Sequence, residues 1–237
     1  MKNIICFLVL GLSFFLKPCF ANMSVYPMVV DIDSSGSSIV QVSSKSDEPQ
    51  FVKVDEKIIR HPGTNKEKEE TLSQWESKGL IVTPQKFALA SGVKRVIRLI
   101  SIEPPEKETV WRVYFEGVAA PEELQAPSAK SDFKPKIGVN LVWGVLVHVA
   151  PLKPVASLKI DKASGEVVNT GTLRIPVKEI GVCNIKDSCK WYPENLTVYP
   201  DTSRKIKRIN LNSSDTYKIR YFNWIDKTNQ ELDLPSK

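Results

Sequence analysis

The sequence predicts an all-β protein built as two sandwiches joined by a short proline-containing hinge. Three observations lead there. Almost every segment after residue 22 has strand character. Turn-forming residues punctuate these segments at short intervals. The texture then changes after Val149, where Ala150-Pro151-Leu152-Lys153-Pro154 carries two prolines spaced to stiffen a hinge.

In order, the first domain opens with Val25–Ile32, an apolar run ending at Ser34-Ser35-Gly36. Ser38–Ser44 alternates Val40 and Val42 with polar neighbours. Gln50–Arg60 does the same through Val52 and Val54 and stops before Pro62-Gly63. The insert Asn65-Lys-Glu-Lys-Glu-Glu70 is charged throughout and reads as a solvated hairpin tip or a helical turn. Leu80–Pro84 and Val93–Ile100 flank Ser91-Gly92, Val110–Val118 follows Pro104-Pro105, and Ile137–Val149 closes the set. Seven strands over about 130 residues is the count of an immunoglobulin-like sandwich. Beyond the hinge, Ser157–Lys162, Val167–Asn169, Ile175–Val182, Trp191–Val198, Lys205–Leu211 and Tyr217–Ile225 form a second, smaller set. The expected architecture is two immunoglobulin-like domains, 22–149 and 150–237, in an L-shaped arrangement, with little helix.

The run 137–149 is unusual within this set. Ile137, Val139, Leu141, Trp143, Val145, Val147 and Val149 occupy every odd position, so all fall on one face. At about 3.3 Å per residue the run would reach roughly 40 Å, beyond the common strand of five or six residues. It also leaves a polar, proline-containing stretch, Ala119 to Lys136. Such a strand either lies deep in a core or is meant for another chain.

Residues 1–21 have the layout of a secretory signal peptide: Met-Lys-Asn, the apolar run Ile4–Leu16, then Lys17-Pro18-Cys19-Phe20-Ala21 with cleavage after Ala21. The run is too short to span a bilayer, and no later segment is apolar enough to cross one. Lys17 and Pro18 stand where a lipid-anchor site at Cys19 would want small residues. Cleavage leaves 31 basic against 27 acidic residues, a mild net +4. Arg204, Lys205, Lys207 and Arg208 form the densest basic patch, without interleaved aromatics, which suits a solvated face better than nucleic acid. Cys6 and Cys19 depart with the signal. The remaining pair, Cys183 and Cys189, reads as a short-loop disulfide pinning a hairpin, worth about 2–3 kcal/mol.

No catalytic constellation is present in the sequence. His61 and His148 lie in different predicted elements without metal-ligand neighbours, and His148 reads as structural or surface. There is no phosphate-binding glycine loop, no Gly-x-Ser-x-Gly and no His-Glu-x-x-His. Asp31 and Asp33 read as a solvated strand edge rather than a glycosidase pair. Asn22, Asn195 and Asn212 begin glycosylation triplets of the kind that arise by chance. Neither an enzyme nor a cofactor is expected.

Several segments, taken in order, resemble the periplasmic pilus-assembly chaperones of the PapD-like family. Leu80-Ile-Val-Thr-Pro84 with Phe87-Ala-Leu89, Gly92 and Val96-Ile-Arg-Leu99 is similar to that family's apolar strand, Thr-Pro, turn glycine and arginine-bearing strand. Pro104-Pro-Glu-Lys-Glu-Thr-Val-Trp-Arg-Val-Tyr-Phe115 resembles its charged turn and aromatic strand, and Val168-Asn-Thr-Gly-Thr-Leu-Arg-Ile-Pro-Val177 a strand of its second domain. Val25-Tyr-Pro, the Lys45-Ser-Asp-Glu-Pro49 turn and the Trp75 insert resemble most the alternate branch that serves colonisation fimbriae.

The resemblance implies a donated strand, in which the chaperone lends its last first-domain strand to a fimbrial subunit whose own sandwich is incomplete, and delivers that subunit to an outer-membrane usher. Counting back from Pro151, Ile137, Val139 and Leu141 fall where donated side chains lie, and Trp143 joins the set although Trp143 to Val149 also reads as core. It further implies a basic anchor for the subunit's C-terminal carboxylate. The matching donor-strand position is Leu146, and Val25–Ile32 holds no Lys or Arg. Either an adjoining strand supplies the charge, with Arg112 the candidate, or the count differs. The family's inter-domain Glu–Arg pair falls on Ala119 and Ala150, so domain orientation is expected to rest on packing around Pro151 and Pro154. The expected partners are fimbrial subunits, the usher and, for an exposed strand, a second copy of the free chain. A fimbrial subunit or adhesin polymerising through its edges is the rival reading, and a secreted hydrolase a third.

Overall fold

The computed structural model describes residues 22–72, 79–118, 141–184, 188–212 and 215–236, which form strands and turns without helix. The expected signal peptide, Trp75, Ala119, Ile137 and Val139 lie outside the described residues. In chain order the first ten strands are β1 (Met23–Tyr26), β2 (Val29–Ile32), β3 (Ser37–Ser44), β4 (Gln50–Arg60), β5 (Lys68–Glu70), β6 (Ile81–Thr83), β7 (Lys86–Leu89), β8 (Lys94–Ile100), β9 (Thr109–Val118) and β10 (Val142–Val149). One sheet runs β1-β3-β8-β6, the other β2-β10-β9-β4-β5 with β7 also paired to β4. Between them pack Val40, Val42, Ile97, Leu99, Val113, Phe115, Val145 and Val147. These are the inward positions of the period-two pattern, and each such side chain contributes about 1.5–3 kcal/mol on burial.

The segment expected as a single strand, Val25–Ile32, is two. Pro27 has no N–H to give to a ladder. The chain leaves β3 at Tyr26 and joins β10 in parallel at Val29, so it crosses from one sheet to the other. The turn residues behave as their chemistry requires: Gly36, Gly63 and Gly92 take φ of +71°, +71° and +69°, the left-handed region that side chains disfavour. The charged insert is a hairpin rather than a helical turn, with Arg60 opposite Lys68 at its mouth.

The second unit holds β11 (Leu158–Asp161), β12 (Glu166–Asn169), β13 (Ile175–Cys183), β14 (Cys189–Val198), β15 (Ser203–Lys205), β16 (Thr216–Asn223) and β17 (Thr228–Asp233). Sheets β11-β12-β15 and β14-β13-β16-β17 enclose Ile160, Val167, Ile175, Ile180, Val198 and Ile219. Two differences from expectation have local causes. Lys205–Leu211 is a strand only through Lys205, because Ile206 turns inward and its N–H bonds the carbonyl of Gly165. β17 has almost no apolar side chains and, among the described residues, is an edge strand paired with β16 alone, so alternation could not announce it. Cys183 and Cys189 face each other in register at the ends of β13 and β14 and form the expected disulfide.

Candidate functional site

β10 has two halves. Its later residues are flanked on both edges, by β9 throughout and by β2 at Leu146–Val149. Leu146 donates its N–H to Met28, and Ala150 donates to Ile32. By the alternation of a strand, Val142 and Gly144 turn their backbone groups toward that same edge. Among the described residues no strand lies there. The side chains at this end are apolar and exposed, Leu141 at 44% and Val142 at 46%. Trp143 is half-buried against the first core, continuous with Val145, Val147 and Val149. An open edge of this kind offers a ladder to a further strand.

Arg112 lies on β9 opposite Leu146, on the outer face of this sheet. The structure brings it together with three side chains that the sequence did not single out. Its Nε lies 3.0 Å from Glu69 Oε1, the Tyr114 hydroxyl donates to the two Glu69 oxygens at 2.8 and 2.7 Å, and Lys57 Nζ is 3.9 Å from Glu69 Oε2. Lys57 also sits over the Tyr114 ring. Burial first, and then the Glu69 carboxylate, push the Tyr114 hydroxyl above the usual phenol range. Gly144 is opposite Tyr114, and a Cβ there would meet Arg112 Cδ and Tyr114 Cε1 at 3.3 Å. The bare backbone of Gly144 therefore lets these two side chains lie close across β10.

Where the two domains meet, the expectation of packing without charge is overturned. Arg174, ahead of β13, reaches back to the first domain with Nη1 2.5 Å from Glu108 Oε1 and Nη2 2.8 Å from Asp31 Oδ1. Its backbone N–H also bonds Glu108 Oε2, and its guanidinium stacks 4.4 Å from the Trp224 ring. The planar fork of arginine suits two carboxylates at once. Glu108 and Arg174 both fall in the quoted chaperone-like segments, but the pairing joins positions 66 residues apart and no local pattern predicts it.

Asp31 is therefore not part of a solvated edge. Asp33 is, capping the Ser35 turn, whereas Asp31 points into the cleft, 3.2 Å from His148 Nδ1. His148 is buried and its Nε2 is 3.2 Å from the Tyr199 hydroxyl of the second domain. Burial alone would raise the Asp31 carboxyl, but the His148 ring beside it and the charge of Arg174 outweigh it and lower it from 3.8 to about 2. A carboxyl depressed on folding stabilises above its unfolded pKa, and that contribution is lost as pH falls through the folded one. Unfolding followed by circular dichroism should show a loss of stability between pH 4 and pH 2 that Asp31→Asn largely abolishes; an unchanged acid profile in that variant would contradict the cleft assignment.

No family model matches the chain. It is 35% identical over 189 residues to a CFA/I fimbrial subunit of Escherichia coli, covering 77% of this chain and 79% of that protein. It is 31% identical over 190 residues to a CS1 fimbrial subunit of Escherichia coli, with the same shares of 77% and 79%. Among solved structures, the class 5 fimbriae chaperone CfaA is 32% identical with a TM-score of 0.75, covering 91% of this chain and 99% of that one. A chain from a study of a chaperone–tip adhesin complex in CFA/I fimbriae biogenesis is 33% identical with a TM-score of 0.72, covering 92% and 100%.

Proposed function

This chain belongs to the family of fimbrial chaperones represented by CfaA, and on that premise we propose that it captures fimbrial subunits in the periplasm by lending them residues 137–143 as a strand. The observation that carries this reading is the one-sided edge of β10 around Val142 and Gly144, with apolar Leu141 exposed at its end. A subunit strand added there gains main-chain hydrogen bonds, and a groove that buries Ile137, Val139 and Leu141 gains about 1.5–3 kcal/mol for each. Trp143 marks the point where the donated side chains pass into the protein's own core.

Such binding is non-enzymatic and uses no cofactor or energy source. The division into domains at 149/150, export by the signal at 1–21, handover to an outer-membrane usher and self-association of the free protein through its open edge belong to the same proposal. Arg112 is the proposed anchor for the subunit's terminal carboxylate: it stands one strand over from Leu146, near the open edge.

The names of the two curated relatives suggest the rival reading, a structural fimbrial subunit. A subunit that polymerises by its edges needs an alternating apolar extension at a free end, whereas here that run is internal and precedes a hinge. Co-expression with candidate fimbrial subunits separates the two. A stable one-to-one complex is expected, and homopolymers of this chain alone would favour the rival. Arg112→Ala should lower the complex yield roughly tenfold, from about 1.5 kcal/mol of lost charge-assisted bonding; an undiminished yield removes Arg112 as the anchor.

A further inference from the structure

We propose that Glu69 is a resident stand-in for an incoming carboxylate: it occupies a site formed by Lys57, Arg112 and Tyr114, and a fimbrial subunit's terminal carboxylate displaces it. This rests on the subunit-binding reading above. Three groups that recognise carboxylates converge on one carboxylate, an arginine Nε at 3.0 Å, a phenolic hydroxyl at 2.8 and 2.7 Å and an ammonium at 3.9 Å. They come from two central strands, β4 and β9, that are paired with each other along most of their length. The carboxylate comes from β5, a strand of three residues at the sheet's edge that, among the described residues, is paired with β4 alone. Short edge elements open at low free energy, whereas central strands do not. The receptor is thus built on central strands and its occupant on a short edge strand.

The position of the cluster points the same way. The Arg112 and Tyr114 side chains lie over the bare backbone of Gly144 on β10, and the next outward-facing positions, Leu146 and Val29, are apolar. A chain arriving along the open edge of β10 therefore reaches Arg112 across the backbone of Gly144. Exchange of one carboxylate for another keeps the Tyr114 hydroxyl bonded and Arg112 and Lys57 ion-paired, and it offers an acceptor to the buried Arg112 Nε–H, which among the described residues has no hydrogen-bond partner while Glu69 is in place. In the free protein the same arrangement keeps other anions off the pair.

The test compares capture of a denatured fimbrial subunit with a free terminal carboxylate and capture of the same protein amidated at its C-terminus, each mixed with the full chain and resolved by size exclusion. Glu69→Gln, which removes the charge and keeps the size, should raise the apparent affinity for the free-acid form about tenfold and leave the amidated one unchanged. Glu69→Ala, which also removes the acceptor of the Tyr114 bond, should do the same, and the thermal midpoints of both variants report whether they remain folded. Arg112→Ala should erase the preference for acid over amide. If Glu69→Gln and Glu69→Ala weaken or fail to change acid capture while Arg112→Ala still erases the preference, Glu69 supports the site rather than filling it and this inference is overturned. If Arg112→Ala keeps the preference, the anchor reading itself fails.

Discussion

Arg174→Ala is expected to lower the thermal unfolding midpoint by on the order of 10 °C. The Glu108 side chain is 0% exposed and Asp31 is partly buried, and both carboxylates pair with this one guanidinium, Asp31 having His148 beside it as well. Removing one partner of a buried ionic cluster costs about 3–5 kcal/mol, chiefly because the remaining charges stay buried and unpaired. In a chain of this length each kcal/mol moves the midpoint by about 2–4 °C. Arg174→Lys keeps a charge but offers one ammonium in place of a fork that meets Glu108 and Asp31 together, so an intermediate loss is expected. Pairing Glu108→Gln with Arg174→Met should recover much of the stability, since the cost lies in the unpaired charge rather than in the absence of the bridge. Equal losses in all three variants would show that the contact with Trp224, not the ionic cluster, is what matters. Small-angle scattering of Arg174→Ala should also report a broader range of domain arrangements, because Arg174 spans the two units while the chain between them is a short proline-stiffened segment.

The second large effect concerns the lent strand. Val139→Asp together with Leu141→Asp should reduce subunit capture by more than a hundredfold while leaving the free protein folded. Two grooves that each bury an apolar side chain would instead face a carboxylate, and the loss of about 1.5–3 kcal/mol per site is compounded by the cost of burying charge. Leu141 is exposed in the free chain and contributes nothing to the first core, so stability should change little. Trp143→Asp is the control of opposite character: it packs against that core and should destabilise the free protein as well. A complex that survives the double substitution would place the donated segment elsewhere.

The strands that face a core on one side were legible in the sequence because burial imposes the period of two: Gln50–Arg60 appears with the bounds its alternation indicates, and the inward residues of β9 and β10 are those the pattern marks. Where burial is weak the signal fails. β17 is polar at nearly every position, β5 is a charged three-residue edge, and Pro27 moves the chain between sheets within what reads as one apolar run. The ionic centre between the domains was illegible for a different reason. Asp31, Glu108, His148, Arg174 and Tyr199 are scattered along the chain and meet only once both sandwiches are built. Arg112 is a candidate only through the family resemblance, as a basic residue on the strand adjoining Leu146, and Glu69, read as part of a solvated insert, could be connected to it only through the hairpin that folds β5 back beside β4. Short-range patterns disclose faces; convergence of distant charges does not leave a local pattern.

The most direct test of strand donation is amide hydrogen exchange along β10, in the free protein and in its complex with a fimbrial subunit. Trp143 and Val145 already lie opposite Phe115 and Val113 in the ladder with β9, whereas Val142 and Gly144 turn their N–H groups to the open edge. If that edge receives a subunit strand, the Val142 and Gly144 amides should become protected by about a hundredfold or more on complex formation, with little further change at Val145. Formation of a stable complex with exchange at Val142 and Gly144 left as fast as in the free chain would contradict it.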